Sequence, residues 1–339
     1  MTLLLLVVLL AVLAFVLTAL LRRYALARSL MDVPNERSSH SIPTPRGGGV
    51  AIVLVYMLGL FVARESGLEV ADDVFWALVG AGGGTALLGF LDDHGHIAAR
   101  WRLLGHFAAA IWVLYWLGGL PPLTLLGSEW QLGWVGHVLA AFYLVWMLNL
   151  YNFMDGIDGI ASCEAICVCL SAALLCLALG IDGGSLVLPL LLAAAVFGFL
   201  LWNFPSAKIF MGDAGSGFLG LVLGALSLQA GWVSPELLWG WLILLGVFIV
   251  DATYTLARRL LRGERLYEAH RSHAYQFASR RYRRHLPVTL AVVAINLLWL
   301  LPIAMLVVAG WVDGALGLLL AYGPLGVLAW RFRAGMPER

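Results

Sequence analysis

Leu148-Asn-Leu-Tyr-Asn-Phe-Met-Asp-Gly-Ile-Asp-Gly-Ile-Ala161 closes one long apolar run and opens the next. Within it Asn149, Asn152, Asp155 and Asp158 recur at every third position. On a continuous helix a step of three falls about 60° short of a full turn, so such a row drifts round the helix instead of forming a stripe. The spacing therefore predicts a helix whose last turn carries Asn149 and Asn152. Gly156 and Gly159 then break it, leaving Asp155 and Asp158 on a loop. Two amide carbonyls beside two carboxylates form a cluster of hard oxygens that suits a hard cation such as Mg²⁺. Ordinary Asx caps at a helix end are the plainer reading, so the weight rests on what surrounds the stretch.

The 339 residues are 62% hydrophobic and 12% charged, with a mean hydropathy of +0.91. A soluble domain is about 45–50% apolar and about 25% charged. Both departures point to a polytopic membrane protein built from apolar spans. The four cysteines, Cys163, Cys167, Cys169 and Cys176, fall in one apolar run and read as packing residues rather than a disulfide framework. The N-terminus has an apolar run to Leu21 followed by Arg22-Arg23, which reads as a retained first span rather than a cleaved signal.

Apolar runs lie at roughly 2–21, 47–63, 74–91, 102–118, 134–150, 160–179, 185–202, 215–232, 237–257, 287–309 and 314–330. The expected fold is all-α, one transmembrane domain over residues 1–339 with about 11 helices. When these are threaded alternately through a bilayer, Arg64 alone among the 21 Lys and Arg residues falls on one side, together with eight of the loop acids. The positive-inside rule then puts the N-terminus outside and the C-terminus in the cytoplasm. The polar motifs all land on the cytoplasmic face. They are Arg37-Ser38-Ser39-His40 and Pro43 to Gly49, Asp92-Asp93 with His94, His96 and Arg100, the Asn/Asp stretch, Lys208 to Gly217, and His270-Arg271-Ser272-His273.

A carboxylate at the centre of a span costs roughly 2.5–3.5 kcal/mol on insertion scales. Asp92, Asp93, Asp155, Asp158 and Asp213 must therefore line a wet, cation-containing cleft at the interface. Arg46, Arg100, Arg102, Lys208 and Arg271 are suited to clamping phosphates. Gly47-Gly48-Gly49 would let an anion approach the N–H groups at a helix start. Arg258, Arg259 and Arg280 to Arg284 read as membrane anchors, whereas His270 and His273 suit sugar or phosphate contacts. Phosphate-binding bases, an acid cluster and apolar spans together suggest a lipid phosphate in the bilayer and a soluble nucleotide reaching it from the cytoplasm.

Four motifs carry a family resemblance: Asp32-Val-Pro-Asn-Glu-Arg-Ser-Ser-His through Pro43-Thr-Pro-Arg-Gly-Gly-Gly, Leu91-Asp-Asp, Asn149-Leu-Tyr-Asn-Phe-Met-Asp-Gly-Ile-Asp-Gly, and Phe210-Met-Gly-Asp-Ala-Gly-Ser. With them the chain resembles the polyprenyl-phosphate N-acetylhexosamine-1-phosphate transferases, relatives of the peptidoglycan lipid I synthase. The resemblance implies a bacterial inner-membrane enzyme of ten or eleven spans. It would transfer a sugar 1-phosphate from a UDP-N-acetylhexosamine to undecaprenyl phosphate in the inner leaflet and release UMP. It implies that Asn152 and Asp213 bind Mg²⁺, or Mn²⁺ in its place, and that Asp92 and Asp93 sit by the lipid phosphate, one of them as base. Asp158 would lie near the uracil, and His273 with Arg271 near the pyrophosphate and sugar. No nucleic acid is expected as partner, and a homodimer is compatible with the resemblance.

Arg100 stands where many members have Lys, and Tyr275 and Gln276 stand where some have two further histidines. The His-Arg-Ser-His-Ala-Tyr-Gln form resembles the branch that starts O-antigen chains with N-acetylfucosamine or N-acetylquinovosamine phosphate, in preference to N-acetylglucosamine. The rival reading is a multi-span transporter of an anionic or phosphorylated substrate. Transport needs polar groups continuing toward the far face, and here they stop at the cytoplasmic side.

Overall fold

The structure, a computed structural model, describes every residue except 1, 35–41, 96, 126, 265–269 and 338–339. The described residues are overwhelmingly helical. Long helices follow one another as α1 (Leu3–Ala27), α2 (Gly49–Glu65), α3 (Asp72–His94), α4 (Ala99–Leu117), α5 (Gly133–Met154), α6 (Ile160–Ala178), α7 (Gly184–Asn203) and α8 (Asp213–Val233). After them come α9 (Pro235–Leu244), α10 (Gly246–Leu261), the short α11 (Ala274–Tyr282), α12 (Leu286–Ile295), α13 (Leu301–Val308) and α14 (Gly314–Arg331). A π-helical turn, Asn296–Leu300, joins α12 to α13. Two antiparallel ribbons complete the chain: β1 (Met31–Asp32) with β2 (Thr44–Pro45), and β3 (Leu123–Leu125) with β4 (Ser128–Trp130).

Every apolar run of the sequence is helical, but the runs are not equivalent. Among the described residues eight helical segments are long and apolar enough to cross a membrane, α12 to α13 counting as one, and a ninth results if α9 and α10 form one bent span. Eleven spans are therefore not reached by length and composition. The run at 47–63 gives a helix of only 17 residues, and the one at 102–118 begins inside α4, whose first turn carries Arg100 and Arg102. The run at 237–257 is broken at Leu245, where α9 and α10 meet at 66°. The four cysteines are free and buried in α6, as packing residues.

α8 is the central post. It packs against α3 and α5 along most of its length and also touches α2, α7 and α9. Its small residues permit this: a Cβ on Gly220 would overlap the carbonyl of Met147 in α5. Such close approach is how helices associate where lipid removes the hydrophobic incentive. The polar motifs are thereby set at one end of one rigid post, since α8 begins at Asp213, α3 ends at His94 and α5 ends at Met154.

Candidate active site

α5 ends where the glycine spacing predicts, with Asp155 as its C-cap and Gly159 in the left-handed region at φ 72° before α6 starts. Asn152 in the last turn of α5 donates from Nδ2 to Asp213 Oδ1 at 2.9 Å and lies 3.2 Å from Ser216 Oγ. Asn149, one turn earlier, is turned back on its own helix, with Nδ2 2.7 Å from the Val145 carbonyl and 3.4 Å from His106 Nδ1. The two Asn therefore share a helix face but only Asn152 reaches Asp213.

The paired acids of α3 divide their duties. Asp92 accepts from Arg102 Nη1 at 2.6 Å and from the Ile97 backbone N–H at 2.8 Å. The same Arg102 nitrogen lies 3.8 Å from Asp213 Oδ2, so one guanidinium bridges the two carboxylates. Asp92, Arg102, Asn149, Asn152, Phe153 and Asp213 line a small cavity of about 50 Å³. Asp93 points elsewhere: buried, it accepts from the Ala214 backbone N–H at 3.3 Å and caps the N-terminus of α8. Gly212 sits above it at φ 78°, and a Cβ there would lie 2.8 Å from Asp93 Oδ2.

Arg46 closes this side of the site. It donates from Nη2 to the Asp93 carbonyl, while Nη1 lies 3.9 Å from the Asp93 carboxylate. Its glycine neighbours serve a different purpose from the one their position suggests. The N–H groups of Gly48 and Gly49 donate to the Phe210 and Met211 carbonyls at 2.9 and 2.8 Å, and Phe210 N–H returns a bond to Pro45. These donors are committed to backbone and do not face an anion. The glycines are needed because a Cβ on Gly49 would stand 2.5 Å from Gly215 Cα. They let the first loop dock on the loop that carries Asp213.

The histidine loop reaches the same place from the other end of the chain. His273 is buried, with Nδ1 3.3 Å from Asp251 Oδ1, and Asp251 also accepts the backbone N–H groups of Ala274 and Tyr275 at 2.9 and 3.0 Å. The rings of His270 and His273 lie 6.5 and 6.4 Å from the ring of Phe153, a residue that lines the small cavity. Burial, reinforced by His273, pushes His270 down to about 3, so it enters this region as a neutral imidazole. Tyr275 Oη donates to the Phe153 carbonyl at 2.9 Å and locks α11 to the end of α5. Behind the loop, the Gly335 N–H donates to the Ser272 carbonyl at 2.7 Å, and Arg258 reaches the Ala334 carbonyl. Arg271 is half-buried, its carbonyl accepting from Arg280.

Asp155 and Asp158 border the cluster. Burial, then the charges of Asp213, Asp158 and Asp93, raise Asp155 well above the usual carboxylate range. Asp158 accepts the Ala207 N–H at 3.1 Å and faces His285 Nδ1 at 3.1 Å. It lines a second, larger cavity of about 530 Å³ with Thr44, Phe210, Arg283, Arg284 and His285. Two sequence candidates lie apart. Arg100 is exposed and stacks over Trp101 at 5.6 Å, its place beside the acids taken by Arg102. Lys208 is exposed over Trp202 at 5.5 Å, its carbonyl bonded to Arg22. Arg37 to His40 and His96 fall outside the described residues. His285 had no signal in the sequence, being a lone histidine in an arginine-rich segment.

Residues 75–231 match the profile of glycosyl transferase family 4. The chain is 31% identical over 269 residues to the probable undecaprenyl-phosphate N-acetylglucosaminyl 1-phosphate transferase of Bacillus subtilis, covering 77% of this chain and 72% of that protein. It is 30% identical over 245 residues to the decaprenyl-phosphate N-acetylglucosaminephosphotransferase of Mycolicibacterium smegmatis, covering 65% and 58%. It is also 33% identical over 202 residues to the phospho-N-acetylmuramoyl-pentapeptide-transferase of Moorella thermoacetica, covering 55% and 61%. The chain belongs to glycosyl transferase family 4. It is an integral membrane enzyme of the sugar-phosphate transferase class.

Proposed function

We propose that the protein transfers an N-acetylhexosamine 1-phosphate from a UDP-sugar to undecaprenyl phosphate, releasing UMP, at the cytoplasmic face of a bacterial inner membrane spanned by about eleven helices. The observation that carries this reading is the meeting of Asn152 and Asp213 at 2.9 Å, with Asp92 and Arg102 beside them in one cavity. The relatives whose names specify polyprenyl phosphates and N-acetylglucosamine support the substrate class. The His-Arg-Ser-His-Ala-Tyr-Gln loop favours an O-antigen-type donor, N-acetylfucosamine or N-acetylquinovosamine, over N-acetylglucosamine.

Among the described residues no group of three His, Cys, Asp or Glu side chains could hold a metal unaided. Mg²⁺ is bound by one or two carboxylates together with substrate phosphates, so an amide–carboxylate pair open to a cavity fits a site that the substrate completes. Asn152, through its amide oxygen, and Asp213 would hold it, and Mn²⁺ could replace it. When bound, the cation neutralises charge on the donor diphosphate.

The chain's own residues do the rest. Arg102 orients Asp92 and Asp213 and offers its remaining donors to a phosphate. Asp92, facing the cavity, accepts any proton left on the lipid phosphate. Asp93 fastens α8 and keeps Asp213 in register. An oxygen of the lipid phosphate then attacks the sugar-linked phosphorus in line, and the bond to UMP breaks. His273, held by Asp251, and Arg271 face the sugar and its phosphate.

The test is to incubate the purified protein with Mg²⁺, undecaprenyl phosphate and a panel of UDP-N-acetylhexosamines, then identify the nucleotide released. UMP with a lipid-linked sugar diphosphate supports the proposal. UDP would indicate ordinary glycosyl transfer, and no release would revive a transporter.

A further inference from the structure

Two polar groups of the small cavity have no part in the chemistry derived above, His106 on α4 and Asn149 on α5. His106 follows Arg102 by four residues, so the two share a face of α4 and stand about 6 Å apart along its axis. The glycine between them sets how closely α4 approaches α3. A Cβ on Gly105 would lie 2.6 Å from Leu88 Cδ2, and Leu88 is itself part of the cavity wall. The two helices thus close in until His106 reaches the cavity that Arg102 lines at its acid end.

Asn149 fixes which edge of the imidazole is offered. Its Nδ2 lies 2.7 Å from the Val145 carbonyl, which can only accept, so this end of the amide is the nitrogen. The same Nδ2 is 3.4 Å from His106 Nδ1. An amide nitrogen only donates, so Nδ1 accepts, and the ring is the neutral tautomer with its hydrogen on Nε2. That tautomer cannot take a proton at Nε2, which leaves proton removal to Asp92. It can donate one hydrogen bond, with no second cation placed beside the Arg102 guanidinium.

What meets this donor follows from size and position. At about 10–15 Å³ per water, the cavity of about 50 Å³ has room for about four waters. That suits a single phosphate group and not a whole sugar nucleotide, since sites for such molecules start at about 300 Å³. Leu88 and Leu148 also wall the cavity, and the flank of α4 beside His106 exposes Leu103 and Leu104, as a lipid-facing surface does. His106 therefore stands between the acid cluster and an apolar flank, where a phosphate carried on a lipid chain arrives.

We propose that His106 Nε2 donates a hydrogen bond to the phosphate of the polyprenyl acceptor, and that Asn149 is the positioning residue for His106. This rests on the acceptor being a lipid phosphate. His106 and Arg102, one turn apart, each hold an oxygen of that phosphate and leave another to attack, so His106 sets acceptor affinity and leaves the donor alone.

The experiment measures UMP release by the full-length protein in lipid nanodiscs, varying undecaprenyl phosphate and the UDP-sugar in turn. It compares wild type with His106→Ala, His106→Gln, His106→Asn and Asn149→Ala. A lost hydrogen bond to a charged group corresponds to roughly tenfold or more in affinity. His106→Ala should therefore raise the acceptor KM by about tenfold or more, with the donor KM near wild type. His106→Gln keeps an N–H near the position of Nε2 and should recover most of the loss. His106→Asn, whose amide reaches only to the position of Nδ1, should not. Asn149→Ala should raise the acceptor KM by a smaller factor. Nitrogen NMR of histidine-labelled protein, with the His106 signals identified by their loss in His106→Gln, should show hydrogen on Nε2 alone. Should the alanine variant fail to fold, His106→Asn carries the measurement. An unchanged acceptor KM in a folded His106→Ala, equal values for the Gln and Asn variants, or a ring hydrogen on Nδ1 would overturn the proposal while leaving the transferase reading intact. A wild-type protein that releases no UMP with any donor would overturn both.

Discussion

Replacing Gly156 with alanine should damage the site through Tyr275, without touching any residue placed in the chemistry. Gly156 follows the end of α5, and a Cβ there would overlap the Tyr275 hydroxyl, with Tyr275 Cζ at 3.1 Å and Gln276 Nε2 at 3.3 Å. Tyr275 is 5% exposed and cannot retreat into solvent. It must give up its bond to the Phe153 carbonyl or push α11 outward. Overpacking costs about 1–3 kcal/mol and the lost hydrogen bond about 1 kcal/mol. The variant should thus be destabilised by about 2–4 kcal/mol. Since α11 starts at His273, an outward shift of about 1 Å would also lower turnover by about 10²-fold. Tyr275→Phe removes the colliding atom at the cost of the hydrogen bond alone. The double variant should then be more stable than the two single effects summed, by at least about 1 kcal/mol. Thermal unfolding of the four proteins in nanodiscs, with UMP release in parallel, measures the cycle. Wild-type behaviour of Gly156→Ala, or strictly additive effects, would refute the reasoning.

The remaining expectations concern the acids. Asp213→Asn should abolish UMP release while leaving the melting temperature within a few degrees of wild type; substantial turnover would remove Asp213 from the mechanism. Asp92→Asn should lose activity far more severely than Asp93→Asn, because an asparagine oxygen at 93 still accepts the Ala214 N–H whereas Asp92 faces the cavity; the reverse order, read from kcat, would exchange their roles. Asp155 has its folded-state carboxyl raised, so the folded protein holds that proton more tightly than the unfolded chain. The stabilisation is full below the unfolded value of about 4 and is lost as pH rises through the folded one. In the presence of a chelator, Asp155→Asn should therefore gain on wild type in melting temperature as pH rises from 5 to 8, and parallel curves would contradict the assignment.

What could be read in advance follows from the range of the forces involved. The break after Met154 was legible because glycine chemistry is local. That the polar motifs gather on one face followed from an apolar chain, whereas the pairing of Asn152 with Asp213 was implied by the family resemblance. Arg100 and Arg102 were harder to separate: two positions apart on a helix, they point about 200° apart, and only the phase of α4 against α3 decides which meets Asp92. Lys208 has the charge expected of a phosphate ligand, yet Trp202 and α1 draw it outward. The glycines at 47–49 read as a place for an anion to approach a helix start, but the close partner was a backbone 162 positions away. The bend at Leu245 is invisible to hydropathy because α9 and α10 are continuous in composition where they join. His285 stayed hidden because its meaning lies wholly in Asp158, far from it along the chain.

The pairing of Gly335 with Ser272 makes the segment after α14 a latch on the histidine loop. A bulky fusion spliced directly onto Met336 would haul on the loop next to His273, and an affinity label there would depress turnover for mechanical reasons. Purification handles for this enzyme belong at the opposite terminus or beyond a long, slack spacer.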